Sequence, residues 1–464
     1  PDQVVSHATT GSGPSASFLG SDMRAAYYGG SSTGAGQNLG LLEYEGTDLA
    51  DLTTYYKNVG QTQPLNPTLY SVDGTSTSCV YSRSHCDDTE QTLDMTQALG
   101  MAPGLASLVM YIGSTDTAII SAMTTHNPLP MTIGCSWGWT PADPNTLNPY
   151  FEKMASQGQT FFVASGDSST WSSKNEAWPA DNAYVVAVGG TDLTTSTAAG
   201  PWQSETAWSD SGGGISPDNI PIPSWQQISG VINSSNGGST TLRNGPDVAA
   251  NANFTFYVCA DQTTCTANEY GGTSFAAPMW AGYVALANQQ LANSNESPVG
   301  FLDPTIYQQN VTSSYYKANF NDITSGTSGS YSAVAGYDLV TGWGSPTPSL
   351  VGALTSGTSS TNPSFTLSAS PSKVSIARGS NGSTQISSTP LAGFDTSVSL
   401  KASGVPAGVT SSFTPSSSIQ SGSGTSTLTL GVSNKGRPGT YTVTITGMGG
   451  GQSASTTLTL TITF

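Results

Sequence analysis

Three observations predict an α/β chain, with a parallel sheet carrying helices on both faces and a separate all-β sandwich behind it. Between Ser17 and about Leu354, short apolar runs ending in Gly, Ser or a polar residue alternate with helix-like stretches. Such alternation argues for strand–helix–strand units and a parallel sheet. From Phe365 to Phe464 the pattern changes to Ser/Thr alternating with Val/Leu/Ile, the period of half-buried strands. Between them lies Thr-Ser-Gly-Thr-Ser-Ser-Thr-Asn-Pro at 355–363, a composition that reads as a flexible linker.

In order, residues 1–17 are small and polar and are expected as a mobile arm before a domain spanning 18–354. The strand candidates there are Leu39–Tyr44, Ser107–Ile112, Met131–Trp137, Thr160–Ser165 and Tyr184–Gly189. The helical candidates between them are Leu49–Val59, Asp88–Leu99, Thr115–Met123 and Pro149–Gln157. In open sheets of this kind, sites form at the carboxyl ends of the strands. The segment 364–464 offers strands at Ser426–Leu430, Thr440–Thr446 and Thr456–Ile462, with turn signals between them, and predicts an Ig-like sandwich. It holds five basic residues against one acid and none of the nine tryptophans. A spacer or adhesion role is therefore expected over a carbohydrate-binding face, which needs exposed aromatic platforms.

Charge is scarce. Only 9% of residues are charged, the net charge is -17, and Lys and Arg total 12. No basic stripe exists, which argues against nucleic acid as a partner. Once the carboxylates are protonated little charge remains to repel itself, so the composition suits work in acid. No apolar run is long enough to span a membrane. The chain starts Pro-Asp-Gln-Val-Val-Ser-His, without an initiator Met or a signal peptide, and is expected to be a secreted, mature, monomeric product. Five cysteines fit two short loops, Cys79 with Cys86 and Cys259 with Cys265, which implies an oxidising compartment. Cys135 is left in an apolar setting as a buried thiol. Sequons stand at Asn233, Asn253, Asn295, Asn310 and Asn381.

The chemistry centres on Tyr-Gly-Gly-Thr-Ser-Phe-Ala-Ala-Pro, from Tyr270 to Pro278. A small-residue turn delivers Ser274 into a segment that is apolar nearly all round, which reads as a buried helix. A serine at such a helix N-terminus is a cap or a nucleophile, and the surrounding glycines favour the nucleophile. A nucleophilic serine needs a base. His7 lies in the arm, His85 abuts a cysteine, and His126 has no supporting motif. Carboxylates remain. Glu90 and Asp94 are four apart on a predicted helix that Asp87 or Asp88 can cap and Gly100 can end. Two carboxyls side by side resist double ionisation and share a proton. Asp167 follows the apolar run Phe161-Phe-Val-Ala-Ser-Gly. Protonated, it can donate to an oxyanion; ionised, it would repel one.

Gly-Gly-Thr-Ser-Phe-Ala-Ala-Pro, Glu-x-x-x-Asp ahead of Ala-Pro-Gly, and Ala-Ser-Gly-Asp together resemble the sedolisin family of serine-carboxyl peptidases, of kumamolisin type, from about Ser17 to Thr347. The resemblance implies a subtilisin-like fold and acid peptidase activity, as an endopeptidase in preference to a tripeptidyl-peptidase. It implies Ser274 as nucleophile, Glu90 as general base, Asp94 as its partner and Asp167 as oxyanion stabiliser. Glu43 and Trp137 match positions that extend the carboxylate network. Ser136-Trp137-Gly138 and Gly212-Gly213-Gly214 resemble substrate-lining segments. A Ca2+ site is implied on Asp322 and Asp338 with the carbonyls of Ile323, Val334 and Gly336; two carboxylates plus carbonyls suit that hard ion. The implied partners are protein or peptide substrates and an N-terminal propeptide in the precursor. The rival of another class is a catalytically silent binding protein on the same scaffold, against which the four intact residues argue.

Overall fold

A computed structural model describes residues 10–81, 86–172, 177–262, 265–355, 364–391, 396–450 and 452–464. The chain divides into two compact units, Pro1–Thr358 and Ser359–Phe464.

The first unit is built on an eight-stranded sheet. Its strands are β1 (Asn38–Glu43), β2 (Thr68–Ser71), β3 (Ser107–Ile112), β4 (Thr132–Cys135), β5 (Thr160–Ala164), β6 (Val186–Thr195), β7 (Trp202–Ala207) and, after two short strands β8 (Gly214–Ile215) and β9 (Asn244–Gly245), β10 (Val248–Asn251). The order is β10-β6-β5-β4-β1-β3-β2, and every pair along it is parallel. β7 pairs antiparallel with β6. β1, β3, β4 and β5 are buried along nearly their whole length, as expected for strands covered on both faces. The short β2 and β10 were not among the expected strands.

One helix, Thr273–Asn293, organises this unit. It is apolar all round, and all its residues from Thr273 to Asn288 are buried. Trp280 stacks on Phe162 of β5 and donates to Ala249 O of β10 at 3.0 Å. Burying a side chain of this size contributes about 2–3 kcal/mol. The helix sits close on the sheet because β4 offers Gly134; a Cβ there would lie 2.9 Å from Leu41 and 3.2 Å from the Pro278 backbone.

The helix Thr89–Met101 packs beside it, and of its two expected caps Asp87 serves while Asp88 does not. Asp87 Oδ1 caps it, accepting from Thr89 N at 2.9 Å. Asp88 turns its carboxylate away, to Asp48 N and Asp261 N at 2.8 Å each and Thr47 Oγ1 at 3.0 Å. Gly100 does not end the helix, which runs to Met101. It is a contact instead: a Cβ there would meet the Gly20 backbone at 2.2 Å. The helix expected from Pro149 starts earlier, at Pro144, because Asp143 caps it through Thr146 N.

Residues 10–17, expected within a mobile arm, are hydrogen-bonded to the domain. Ser12 donates through its N–H and hydroxyl to Asp22 at 2.9 and 2.7 Å, and Thr10 bonds Thr195 at 2.6 Å. The carboxylate at the start of the first helix recruits the incoming chain as its donors. Residues 1–9, with His7, and His85 lie outside the described residues, as does the linker from 356 to 363.

The second unit has two sheets with its core between them. Ser364–Ser370, Asn381–Leu391, Gly424–Val432 and Val409–Thr414 form one; Lys373–Ala377, Gln452–Thr463, Gly439–Gly449, Val398–Ser403 and Ser418–Ile419 form the other. Ile386, Leu428 and Leu430 of the first meet Val443, Ile445, Leu458 and Leu460 of the second.

Both disulfides, Cys79–Cys86 and Cys259–Cys265, are formed, and Cys135 is a buried free thiol. Asn253 and Asn310 are buried, so those two sequons are closed to a glycan in the folded chain.

Candidate active site

Ser274 is the second residue of its helix, which places it at the positive end of the dipole. Gly272 holds the cap position with φ +147°. That backbone region is open to glycine, and a Cβ there would come 2.6 Å from Asp167 Oδ2. Glycine is therefore what lets the Asp167 carboxyl approach the start of the serine helix.

Glu90 is likewise the second residue of its helix, and its carboxyl is within hydrogen-bonding reach of Ser274 and Ser136. Asp94, one turn on, is fully buried. Its Oδ1 accepts from Ser136 Oγ at 2.7 Å. Glu43 ends β1, is fully buried, and accepts from Trp137 Nε1 at 3.1 Å. The side chains of Glu43 and Asp94 are in hydrogen-bonding contact with each other. Written as carboxylates, Glu43 Oε1, Glu90 Oε1 and Asp94 Oδ2 are buried with no donor among the described residues. A buried acceptor left bare is costly, and protons shared between the acids remove that cost. The electrostatics agree. Burial pushes Glu90 up to about 7, with Asp167 raising it further and the Ser274 hydroxyl opposing. Burial, then the neighbouring acids, holds Asp94 well above the usual carboxylate range. Burial does the same to Glu43.

Asp167 follows β5 and stands at the mouth of the cleft. Its Oδ1 accepts from both the N–H and the hydroxyl of Thr273 at 2.8 Å. Thr273 Oγ1 in turn accepts from Gly166 N at 3.0 Å. Loss of water around it, with a smaller push from Asp210, raises the Asp167 carboxyl above its ordinary value, against the pull of the Thr273 donors. With Oδ1 engaged, Oδ2 is the oxygen free to carry a proton. Thr273 escaped the sequence reading although it immediately precedes Ser274; the missing signal was that its two donors are needed 106 residues away.

A cavity of about 320 Å3 opens between these groups, bordered by Ser136, Gly138, Asp167, Gly212 and Ser274 among others. Three of the expected lining residues, Trp137, Gly213 and Gly214, do not border it. Trp137 is turned onto Glu43, and the Gly213 carbonyl is taken by Trp171 N at 2.8 Å. His126 is far from use as a base, edge-on to Tyr70 and Tyr111 at 4.9 and 5.2 Å. Cys135 donates to Trp137 O at 3.4 Å, and burial raises its thiol, so it stays inert.

In the loop predicted for calcium, both acids are tied to the loop's own backbone. Asp322 Oδ1 accepts from Gly336 N at 3.0 Å and Tyr316 OH at 2.9 Å. Asp338 is fully buried, with Oδ1 on Val340 N and Thr341 N and Oδ2 on Val334 N. Among the described residues no cluster of three or more His, Cys, Asp or Glu converges as on a metal. Two carboxylates and three carbonyls on one loop still form a hard oxygen set. Burial pushes Asp338 up to about 7, and no basic side chain pairs with it among the described residues. A divalent ion would supply the missing charge, so the residues fit one.

Comparison with known proteins agrees with the geometry. The profile of the Subtilase family matches residues 89–344. Kumamolisin from Bacillus sp. (strain MN-32) is 35% identical over 342 residues, covering 68% of this chain and 59% of that protein. Sedolisin from Pseudomonas sp. (strain 101) is 30% identical over 308 residues, covering 57% and 49%. Tripeptidyl-peptidase 1 from Homo sapiens is 30% identical over 221 residues, covering 43% and 38%. The chain thus spans about half the length of the curated relatives it matches. Among solved structures, Pseudomonas sedolisin, a serine-carboxyl proteinase complexed with two molecules of pseudo-iodotyrostatin, superposes with a TM-score of 0.57 at 26% identity, over 75% of this chain and 98% of that one. The chain belongs to the subtilase family and, within it, to the sedolisins.

Proposed function

We propose that the protein is a secreted, acid-active serine-carboxyl endopeptidase. The observation that carries this reading is that Ser274 borders one cavity with Asp167 while Glu90 lies within hydrogen-bonding reach of it and Asp94 shares Ser136 with Glu90. Ser274 attacks a peptide carbonyl while Glu90 takes its proton, so the negative charge passes from Glu90 to the carbonyl oxygen, and Asp94 with Glu43 backs Glu90 in the buried row. Protonated Asp167 and a first-turn N–H, that of Ser274, hold the oxyanion. Glu90 then protonates the leaving amine, and water releases the acyl-enzyme. One such oxyanion donor is worth about 3 kcal/mol, a hundredfold or more in rate.

Digestion of a denatured protein between pH 2 and 8, with products identified by mass, tests the assignment. Internal cuts confined to acid support it. Release of tripeptides from the N-terminus alone would replace endopeptidase by tripeptidyl-peptidase, and activity centred at pH 8 would overturn the acid mechanism. Two disulfides support work outside a reducing compartment, and no described helix is long and apolar enough to cross a membrane. The protein acts as a monomer on protein or peptide substrates, after loss of an N-terminal propeptide.

Calcium belongs to the same proposal. Asp322 and Asp338, with the carbonyls of Ile323, Val334 and Gly336, would hold it and so stiffen the loop. An ion present at about a hundred times its dissociation constant adds roughly 2.7 kcal/mol of stability. Chelator is therefore expected to lower the thermal midpoint by about 5 °C, and added Ca2+ to restore it. An unchanged midpoint with chelator at both acid and neutral pH rejects the site.

A further inference from the structure

Ser274 and Glu90 are carried by separate segments, and a pair of acids outside the catalytic row joins the two. Ser274 is reached through an antiparallel hairpin, Phe256–Val258 with Thr266–Tyr270, which runs into the serine helix. Phe256 of that hairpin stacks on Phe275, the residue after Ser274, with ring centroids 3.9 Å apart. Hairpin and helix start are therefore packed as one piece. Glu90 belongs to the helix Thr89–Met101.

The far end of the hairpin is closed by Cys259–Cys265, and Asp261 lies inside that loop. Asp261 N donates to Asp88 Oδ1 at 2.8 Å, and Asp88 N donates to Asp261 Oδ1 at 3.1 Å. Each acid takes the other's backbone N–H, which makes a two-bond clasp. Asp88 is fully buried and immediately precedes the helix of Glu90. Asp51, also buried, holds the next loop residue, accepting from Gln262 N at 3.0 Å. Buried carboxylates are costly unless donors are supplied, and here two of them are aimed at one loop tip. Asp261 has φ +60°, a conformation that Asp and Asn adopt more readily than most side chains. Cys79–Cys86 closes the chain just ahead of Asp88. The clasp thus ties the start of one helix to the hairpin that feeds the other. What it can control is the reach between Glu90 and Ser274, where a displacement of about 1 Å can cost a hundredfold in rate.

We propose that Asp261 is a positioning residue: clasped to Asp88, it fixes the Glu90 helix against the hairpin that delivers Ser274 and holds base and nucleophile in register. The inference rests on the peptidase reading above.

Two variants separate the clasp from its surroundings. Asp261→Gly removes the carboxylate and keeps the left-handed backbone. Asp261→Asn keeps the acceptor as well. On one cleavable peptide, Asp261→Gly should lower kcat by about tenfold and leave KM within about twofold. Asp261→Asn should stay within about twofold of wild type in both. The acid limb of Asp261→Gly should move to higher pH, because the Ser274 hydroxyl that holds Glu90 down is no longer kept against it. Thermal midpoints measured alongside separate positioning from folding. A lowered midpoint in Asp261→Gly with wild-type kcat and acid limb makes the clasp a structural tie alone and overturns the inference. Equal losses in Asp261→Gly and Asp261→Asn overturn it too, since the acceptor would then be irrelevant. A wild type that cuts no peptide at any pH rejects the peptidase reading and the inference with it. Cutting by wild type and unchanged kinetics in Asp261→Gly reject the inference alone.

Discussion

Replacing Ser274 by alanine is expected to lower kcat by about a million-fold, and Glu90→Gln to lower it by a similar factor. The double variant should be no slower than either alone, because hydroxyl and base act as one unit. The variants are suited to this test because neither residue holds its helix together. Gly272, not Ser274, occupies the cap of one helix, and Asp87 caps the other. Alanine is favourable in a helix, so thermal midpoints should stay within a few degrees. Steady-state kinetics on one cleavable peptide, with active-site titration of the wild type, reads the losses. If the two losses multiplied in the double variant, Ser274 and Glu90 would be acting independently, and Glu90 would not be the base. Turnover by Ser274→Ala within tenfold of wild type would remove Ser274 from the reaction altogether.

The groups of the candidate site are legible in the sequence because each sits in a short run whose local structure is dictated by that run. The apolar run Phe161-Phe-Val-Ala forms β5 and leaves Asp167 at its carboxyl end. The spacing of Glu90 and Asp94 puts both acids on one face of a helix that exists as expected. Groups whose meaning depends on a distant partner were not legible. Asp88 looks like a cap, yet its carboxylate binds amides at Asp48 and Asp261, the latter 173 residues away. Gly100 looks like a helix stop, yet it is the place where Gly20 comes close. β10, Val248–Asn251, is four residues without strand-like alternation, and pairs only because β6 is beside it. In the second unit, period-two alternation located the strands Gly424–Val432, Gly439–Gly449 and Gln452–Thr463, but cut each one short at its polar ends.

Asp167→Asn and Asp167→Ala should diverge with pH, and the divergence follows from proton placement. Asp167 Oδ1 is engaged by Thr273 twice, so the oxyanion must be served from Oδ2, which donates only when protonated. Glu90 must be ionised to accept the Ser274 proton. Each acid is raised above its ordinary value, and the charge on Asp167 raises Glu90, which reaches about 7. Which of the two carries a proton therefore decides whether the site can work. The pair is productive when it holds one proton, placed on Asp167. With two protons Glu90 is no base; with none the oxyanion meets a carboxylate. Wild-type activity should rise as the first proton leaves and collapse as the last leaves, at or below about pH 7. Asparagine fits the same space. Its carbonyl can take the two Thr273 donors, and its amide then donates from the Oδ2 position at every pH. The alkaline fall should disappear in Asp167→Asn, and the acid limb should stay near its wild-type position, because Asp167 is protonated and uncharged there. Asp167→Ala keeps no donor and should be slower by about a hundred- to a thousandfold throughout. A profile for Asp167→Asn that still collapses near neutrality would place the controlling proton elsewhere in the Glu90–Asp94–Glu43 row, and Asp167 would no longer be the reason the chemistry needs acid.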